Sequence, residues 1–263
     1  MIRSAVLRYR YLFSQLVRRE LRQKYKGSAL GILWYFVNPL VIMAMYGLLL
    51  GPLLKAVNYP EYPIFILAGL LVWLFWSQSL LSGSTSLVDQ TSLVSKVRFP
   101  RETVPSAAVT VQLVPFFAML VMLLPVAMIL RGDASLSMLL LVPLTLCLFL
   151  MTLGMCFALA VLHAYYRDVQ PILNAVLLPL FFASGVLFQI TQLPGLHSHA
   201  WAGPLLRWGN PIAPFIDAIR TVIYDGRTPS GAELIYVVGA AAISMVVGVI
   251  IFRRMEGELA VVL

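Results

Sequence analysis

The residues able to do chemistry are few and scattered. His197 and His199 flank Ser198. Two imidazoles can touch a metal, but a site needs further ligands and none stands at the right spacing, so the pair reads as a polar loop tip. Asp217 and Arg220 stand three apart, a spacing that sets opposite charges side by side on one helix, and they read as a helix-surface pair rather than a reacting acid and base. Cys147 and Cys156 fall nine apart in one apolar run. On a helix that places them on opposite faces, about 13 Å apart in height, so they cannot bridge and read as packing residues. No G-x-x-x-x-G-K-[ST] loop, no His-Glu-x-x-His and no Cys-x-x-Cys occurs. The chain is therefore expected to carry no catalytic, cofactor-binding or metal-ligating residues of its own.

The elements that must position any function are apolar. Of 263 residues, 60% are hydrophobic and 11% charged, with mean hydropathy +0.90. A soluble domain carries about 25% charged residues, so an ordinary soluble enzyme is excluded, and so is a disordered chain. Crossing ~30 Å of hydrocarbon takes ~20 apolar residues. Stretches free of Asp, Glu, Lys and Arg run over 27–54, 62–88, 103–130, 134–166, 169–206 and 234–252. The fifth is too long for one helix. Asp168 followed by Pro171 resembles a cap with an early proline, starting a helix that runs to about Gln189. Pro194-Gly195 breaks it, and residues 200–206 are too short to cross again. The next stretch reads as a re-entrant or interfacial hairpin through Trp208, Asn210, Pro211 and Pro214 into a short helix near 215–223.

The expected fold is an all-α integral membrane protein. An amphipathic helix over 1–28 precedes a transmembrane domain over 29–254, and 255–263 form a cytoplasmic tail. Six spans are placed at about 30–52, 63–88, 104–130, 137–162, 170–190 and 233–252, with the hairpin between the fifth and sixth. Eight of the 19 basic residues lie in the first 26 positions. With six spans, 14 basic residues fall on the N-terminal side of the membrane and five opposite, which sets both termini in the cytoplasm. A seven-span reading divides the charges as well; span length decides against it. Ile2, Val6, Tyr9, Phe13, Leu16 and Val17 recur at helical spacing opposite the basic residues, as in a helix lying on a membrane surface. A basic patch just before an apolar span faces anionic lipid rather than nucleic acid.

The spans hold no ionisable residue at mid-depth. Ion-coupled transporters use such residues as relays, and selective channels need charged rings or a carbonyl filter. Neither signature occurs, so movement has to be driven from outside the bundle. The uncharged polar residues Asn38, Ser77, Gln78, Ser79, Gln112, Thr145, Thr152, Asn174 and Gln189 read as interhelical hydrogen-bonding groups. The connection over 89–103 is the most informative polar piece. Ser92 is placed to cap a short helix bearing Leu93, Val94 and Val97 with Lys96 and Arg98, and Phe99-Pro100 ends it. Such a helix suits docking on another protein or lying on the membrane surface. The turn at 165–168 is short and tied to both neighbouring helices.

Four stretches carry a resemblance: RELRQKYKGSALG at 19–31 with Trp34 and Pro39, KVRFPRE at 96–102 with Pro105, YRDV at 166–169, and Asn210-Pro211 followed by Arg220. In order and coverage they resemble the transmembrane subunit of type-2 ABC exporters, in the branch that moves O-antigen, capsule and teichoic acid. The resemblance implies a homodimer carrying two copies of a separate ATPase, which would hold ATP and Mg, in a bacterial inner or plasma membrane. It implies ATPase coupling through Lys96, Arg98, Phe99, Pro100, Arg101 and Glu102 and through Arg167 and Asp168. It matches Arg22, Tyr25 and Lys26 to an interface helix, and Pro194, Trp201, Trp208, Asn210 and Pro211 to external gate segments. Its cargo would be a lipid-linked polysaccharide. Aromatic faces offer such a polymer a smooth uncharged surface, which makes Trp34, Tyr35, Trp73, Trp76 and Phe116 candidates for a channel lining; interfacial belts are the competing role for these residues. A type-2 permease for a drug or small lipid, or an ATP-independent channel, are the competing functions.

Overall fold

The structure is a computed structural model that describes residues 2–25, 31–53, 61–96, 99–132, 135–190 and 201–259. Its elements are α1 (Ile2–Tyr25), α2 (Trp34–Leu53), α3 (Tyr62–Asp89), α4 (Thr91–Lys96), α5 (Thr103–Arg131), α6 (Leu141–Tyr165), α7 (Val169–Ala183), α8 (Ala202–Trp208), α9 (Ala213–Arg220) and α10 (Gly231–Met255). Among the described residues there is no strand. Short 3-10 turns precede α2 and α6, and a π-turn over Thr221–Asp225 prolongs α9.

Among the described residues four helices are long and apolar enough to cross a membrane: Tyr62–Asp89, Thr103–Arg131, Leu136–Tyr165 and Gly231–Met255. Each falls where a span was expected. Of the other two expected spans, α2 is a 20-residue apolar helix, and α7 is 15 residues, about 22 Å, where 170–190 was expected to be one continuous helix. The early stop has a local cause. Gly185 takes the left-handed φ of +74°, and the Ser184 hydroxyl turns back to donate to the Phe181 carbonyl at 2.8 Å. The chain then runs irregularly through 186–189. Asp168 precedes α7, but its side chain makes no cap hydrogen bond. Ser92 likewise lies inside α4 rather than capping it.

The centre of the bundle is α3, with 83% of its apolar window buried against 17% for α10. It packs against α5, α6, α7 and α9. Small residues set the closest approaches. Gly83 lies where a Cβ would sit 2.6 Å from Cys156 Sγ, and the Cys156 thiol donates to the Ser79 carbonyl at 3.3 Å. Cys147 and Cys156 are free thiols. Between α6 and α10 the backbones touch: a Cβ on Gly248 would collide with the Gly154 carbonyl, and the Ser244 hydroxyl donates to Met151 O at 2.7 Å. With no hydrophobic drive between helices in lipid, such close packing and hydrogen bonding hold the pair together.

Candidate functional site

Two clusters of polar groups lie at opposite ends of α10. At its C-terminal end, two segments meet the helix. Arg101 donates to the Glu256 carbonyl, Tyr165 Oη donates to the Met255 carbonyl at 2.9 Å, and Glu102 pairs with Arg253 at 3.7 Å. The cause is general: the last carbonyls of a helix lack intrahelical donors, and cations and hydroxyls supply them. Burial, with the Glu102 carboxylate beside it, pushes the Glu256 carboxyl above its ordinary range.

The connection expected to couple to a partner is built onto this cluster. Val94 of α4 is buried in the same core as Leu16 of α1, and Phe99 is half-buried against it. Gln90 donates to the Glu20 carboxylate at 2.5 Å, tying α1 to the start of α4. Pro100 accepts from Thr103 Oγ1 at 2.7 Å, closing the turn into α5. The backbone of Lys96 ends α4, while Arg98 and Lys26 lie outside the described residues, as do the side chains of Lys96 and Tyr25. Arg22, Arg167 and Asp168 are exposed. The structure therefore brings Phe99, Pro100, Arg101 and Glu102 together and leaves the 166–168 turn open beside them.

At the N-terminal end of α10 the charges are buried or half-buried. Arg207 Nη2 meets Glu233 Oε1 at 2.6 Å, and its Nε lies 3.4 Å from Asp217 Oδ2. Arg220 is 2% exposed. Its Nη2 donates to the carbonyls of Gly185 and Val186, both at 2.9 Å, and its Nη1 lies 3.8 Å from Asp217 Oδ1. Its guanidinium carbon stands 3.8 Å from the Phe65 ring centroid, a cation–π contact. This overturns the expectation of a helix-surface pair, because α9 is buried on nearly every face. Room for the guanidinium comes from Gly69, where a Cβ would stand 2.5 Å from Arg220 Nη2. Glu233 serves twice, since it also completes a capping box with Ser230 at the start of α10.

The hairpin residues fall around this network. Trp208 is half-buried; its carbonyl accepts from Tyr236 Oη at 3.0 Å, and its ring lies under Arg207 at 5.1 Å. Asn210 is buried, and its Oδ1 accepts from Ile212 N at 3.2 Å, turning the chain into α9 past a half-buried Pro211. Trp201 is exposed. Pro194, His197 and His199 lie outside the described residues. Burial pushes the Asp225 carboxyl up, opposed by Arg227, Arg220 and Arg131. Among the described residues no group of His, Cys, Asp and Glu could hold a metal.

The expected aromatic lining divides. Trp34 is exposed, and the side chain of Tyr35 lies outside the described residues. Trp73, Trp76 and Phe116 are core residues at 6%, 1% and 3% exposure. Trp73 packs on Trp76 and Phe181 at 5.4 Å, and Phe116 on Phe75 at 5.5 Å. These three rings fill the interior of the chain, so the lining role expected of them finds no open surface here.

The family model described as ABC-2 type transporter matches residues 11–224. The chain belongs to the ABC-2 type transporter family. Proteins of this family are membrane subunits and not themselves catalytic. This ABC-2 chain is 29% identical over 252 residues, 96% of its own length and 95% of the other's, to the O-antigen export system permease protein RfbA of Myxococcus xanthus. It is 25% identical to a protein of the same name from Klebsiella pneumoniae, with 96% of each chain covered. It is 22% identical to the polysialic acid transport protein KpsM of Escherichia coli, with 92% of each covered. The ABC-2 match spans α4 and Arg220 and ends before Glu233.

Proposed function

We propose that this chain is the membrane subunit of an ATP-driven exporter of lipid-linked polysaccharide, of O-antigen, capsule or teichoic acid type. The observation that carries the reading is similarity over 96% of the chain to a protein named for O-antigen export. Two such chains would pair in a bacterial inner or plasma membrane with both termini in the cytoplasm. Each would take one copy of a separate ATPase, which supplies ATP and Mg. In this reading α2 and α7 complete six crossings, α7 with the irregular stretch after Gly185, and the segment from Pro194 to Pro211 forms an external gate. Lys96, Arg98, Phe99, Arg167 and Asp168 would face the ATPase. Arg101 and Glu102 would act one step behind, fixing the connection to the end of α10. Arg22, Tyr25 and Lys26 would seat α1 on the membrane surface.

The test is purification and reconstitution. The chain purified from its host is expected to bring an ATPase subunit with it, and the pair to move lipid-linked glycan into proteoliposomes only with ATP. The isolated chain is expected to retain no nucleotide. Stoichiometric ATP on the isolated chain, or glycan flux without nucleotide turnover, would overturn the proposal.

A further inference from the structure

Because α3 is buried on nearly every side, the strip it leaves open is selective. From Ile64 onward only Gln78 and Asp89 are exposed, and Leu74, Leu81, Ser82, Thr85 and Val88 are half-buried. At 100° per residue these seven occupy about 120° of the helix circumference. Within the strip the chemistry is sorted. Gln78, Ser82, Thr85 and Asp89 fall within about 60° of one another, and Leu74, Leu81 and Val88 form the adjacent apolar edge. The polar edge is bordered by polar groups from two other helices. Ser82 Oγ accepts from Gln112 Nε2 of α5 at 3.1 Å, and Gln112 Oε1 accepts from Lys24 Nζ of α1 at 2.8 Å.

Depth makes the edge informative. With Asp89 set at the edge of a ~30 Å hydrocarbon layer, Gln78, 11 residues and about 17 Å away along the helix axis, stands near its middle. Among the described residues its side-chain amide makes no hydrogen bond. A bare amide in hydrocarbon costs several kcal/mol, and polar groups at this depth face a water-filled passage or protein. Its neighbours Ser82 and Gln112 already have partners, so the amide is the group left to be satisfied from outside the chain.

We infer that the polar edge of α3, centred on Gln78 and Thr85, lines the aqueous passage and hydrogen-bonds the hydroxyls of the moving glycan. This rests on the exporter reading above. The occupant is set by the chemistry of the lining. Amides and hydroxyls exchange hydrogen bonds with sugar hydroxyls and water one for one, and α3 itself carries no charged side chain between Ile64 and Val88 to hold a polymer in place. The aromatic rings expected to do this, Trp73 and Trp76 of the same helix, pack into the core instead.

Thiol accessibility in the assembled complex tests it. Gln78→Cys and, separately, Thr85→Cys are made with Cys147→Ala, leaving Cys156 in place because it is fully buried. Val121→Cys and Ile243→Cys, both at exposed apolar positions, report lipid. A charged, membrane-impermeant methanethiosulfonate is expected to label positions 78 and 85 at least about ten-fold faster than the lipid controls, because only water carries it to mid-depth. A methanethiosulfonate bearing a hexose is expected to follow it to the same positions. Three results overturn the inference. Labelling no faster than the controls puts the edge in lipid. A spontaneous disulfide joining two copies of the Gln78→Cys chain through position 78 puts it in a contact between copies. Exclusion of the hexose reagent leaves a crevice too narrow for glycan. Each leaves the exporter reading standing if the unsubstituted complex still moves glycan. Should the unsubstituted chain bring no ATPase with it, the exporter reading fails on that result, while the labelling still decides whether the edge meets water.

Discussion

The two ends of α10 are tied by the same kinds of group in opposite surroundings. At its N-terminal end, the outer one in the proposed orientation, Glu233 and Arg220 are 6% and 3% exposed and their partners Arg207 and Asp217 29% and 20%. At its C-terminal end, the inner one in that orientation, Arg253 and Glu102 face each other with side chains 68% and 30% exposed. A buried ion pair that loses one member leaves a stranded charge, whereas an exposed pair gives up little to water. The outer cluster is thus a lock set when the chain folds. The inner one is a joint that can rearrange at low cost. On the exporter reading proposed above, that asymmetry puts a soft contact where force would enter and a stiff frame where a passage would open and reseal.

The lock should show the largest effect. Arg220→Met leaves the buried Gly185 and Val186 carbonyls without their donor and Asp217 with Arg207 alone, and about 3–5 kcal/mol of stability should go with it. Thermal unfolding of the purified chain in detergent would measure the loss. Arg220→Lys should recover only part of it, because an ammonium cannot span two carbonyls as a planar fork does. A Met variant as stable as the parent would mean that the outer end is not locked through this residue.

A stiff outer end and a soft inner one can work together only if something rigid joins them. The α6–α10 pair supplies this where Gly248 rests on the Gly154 carbonyl. Gly248→Ala should force the backbones apart and cost about 1–3 kcal/mol. Gly239, on the same helix, has nothing within 4 Å of an added Cβ. Gly239→Ala should be neutral or stabilising by up to about 1 kcal/mol through helix propensity. Equal effects at the two glycines in the same unfolding assay would show that the contact carries no special stiffness.

How much of this could be read from sequence differs between the two ends. The four long helices follow from uninterrupted apolar runs, and the docked α4 from a short amphipathic pattern bounded by Phe99-Pro100. These are local signals. The outer lock is not local: Arg220 finds Gly185 and Val186, and Arg207 finds Glu233, across 26 to 35 residues. Only Asp217 and Arg220 lie at a spacing a sequence can interpret, and the same spacing serves a surface pair equally well. The stop of α7 at Ala183 was hidden for a related reason. Ser184-Gly185 is a mild break inside an apolar run, and it becomes decisive only because a buried guanidinium takes the freed carbonyls. The aromatic residues misled because Trp and Phe fill cores and line passages alike, and only packing tells which.

The smallest effect belongs to the joint, and it tests the contrast between the ends most finely. Glu102→Gln and Arg253→Gln should each change stability by less than about 1 kcal/mol, and the double variant should show a coupling below about 0.5 kcal/mol near 0.15 M salt. The pair is exposed and long at 3.7 Å, so raising the salt should erase what coupling remains. Arg101 donates to the Glu256 carbonyl whether or not the pair forms, so the segment keeps its seat in both single variants. Unfolding of the four chains measured at low and high salt closes the cycle. A coupling of several kcal/mol that survives high salt would make the inner end as stiff as the outer, and the division into lock and joint would be lost.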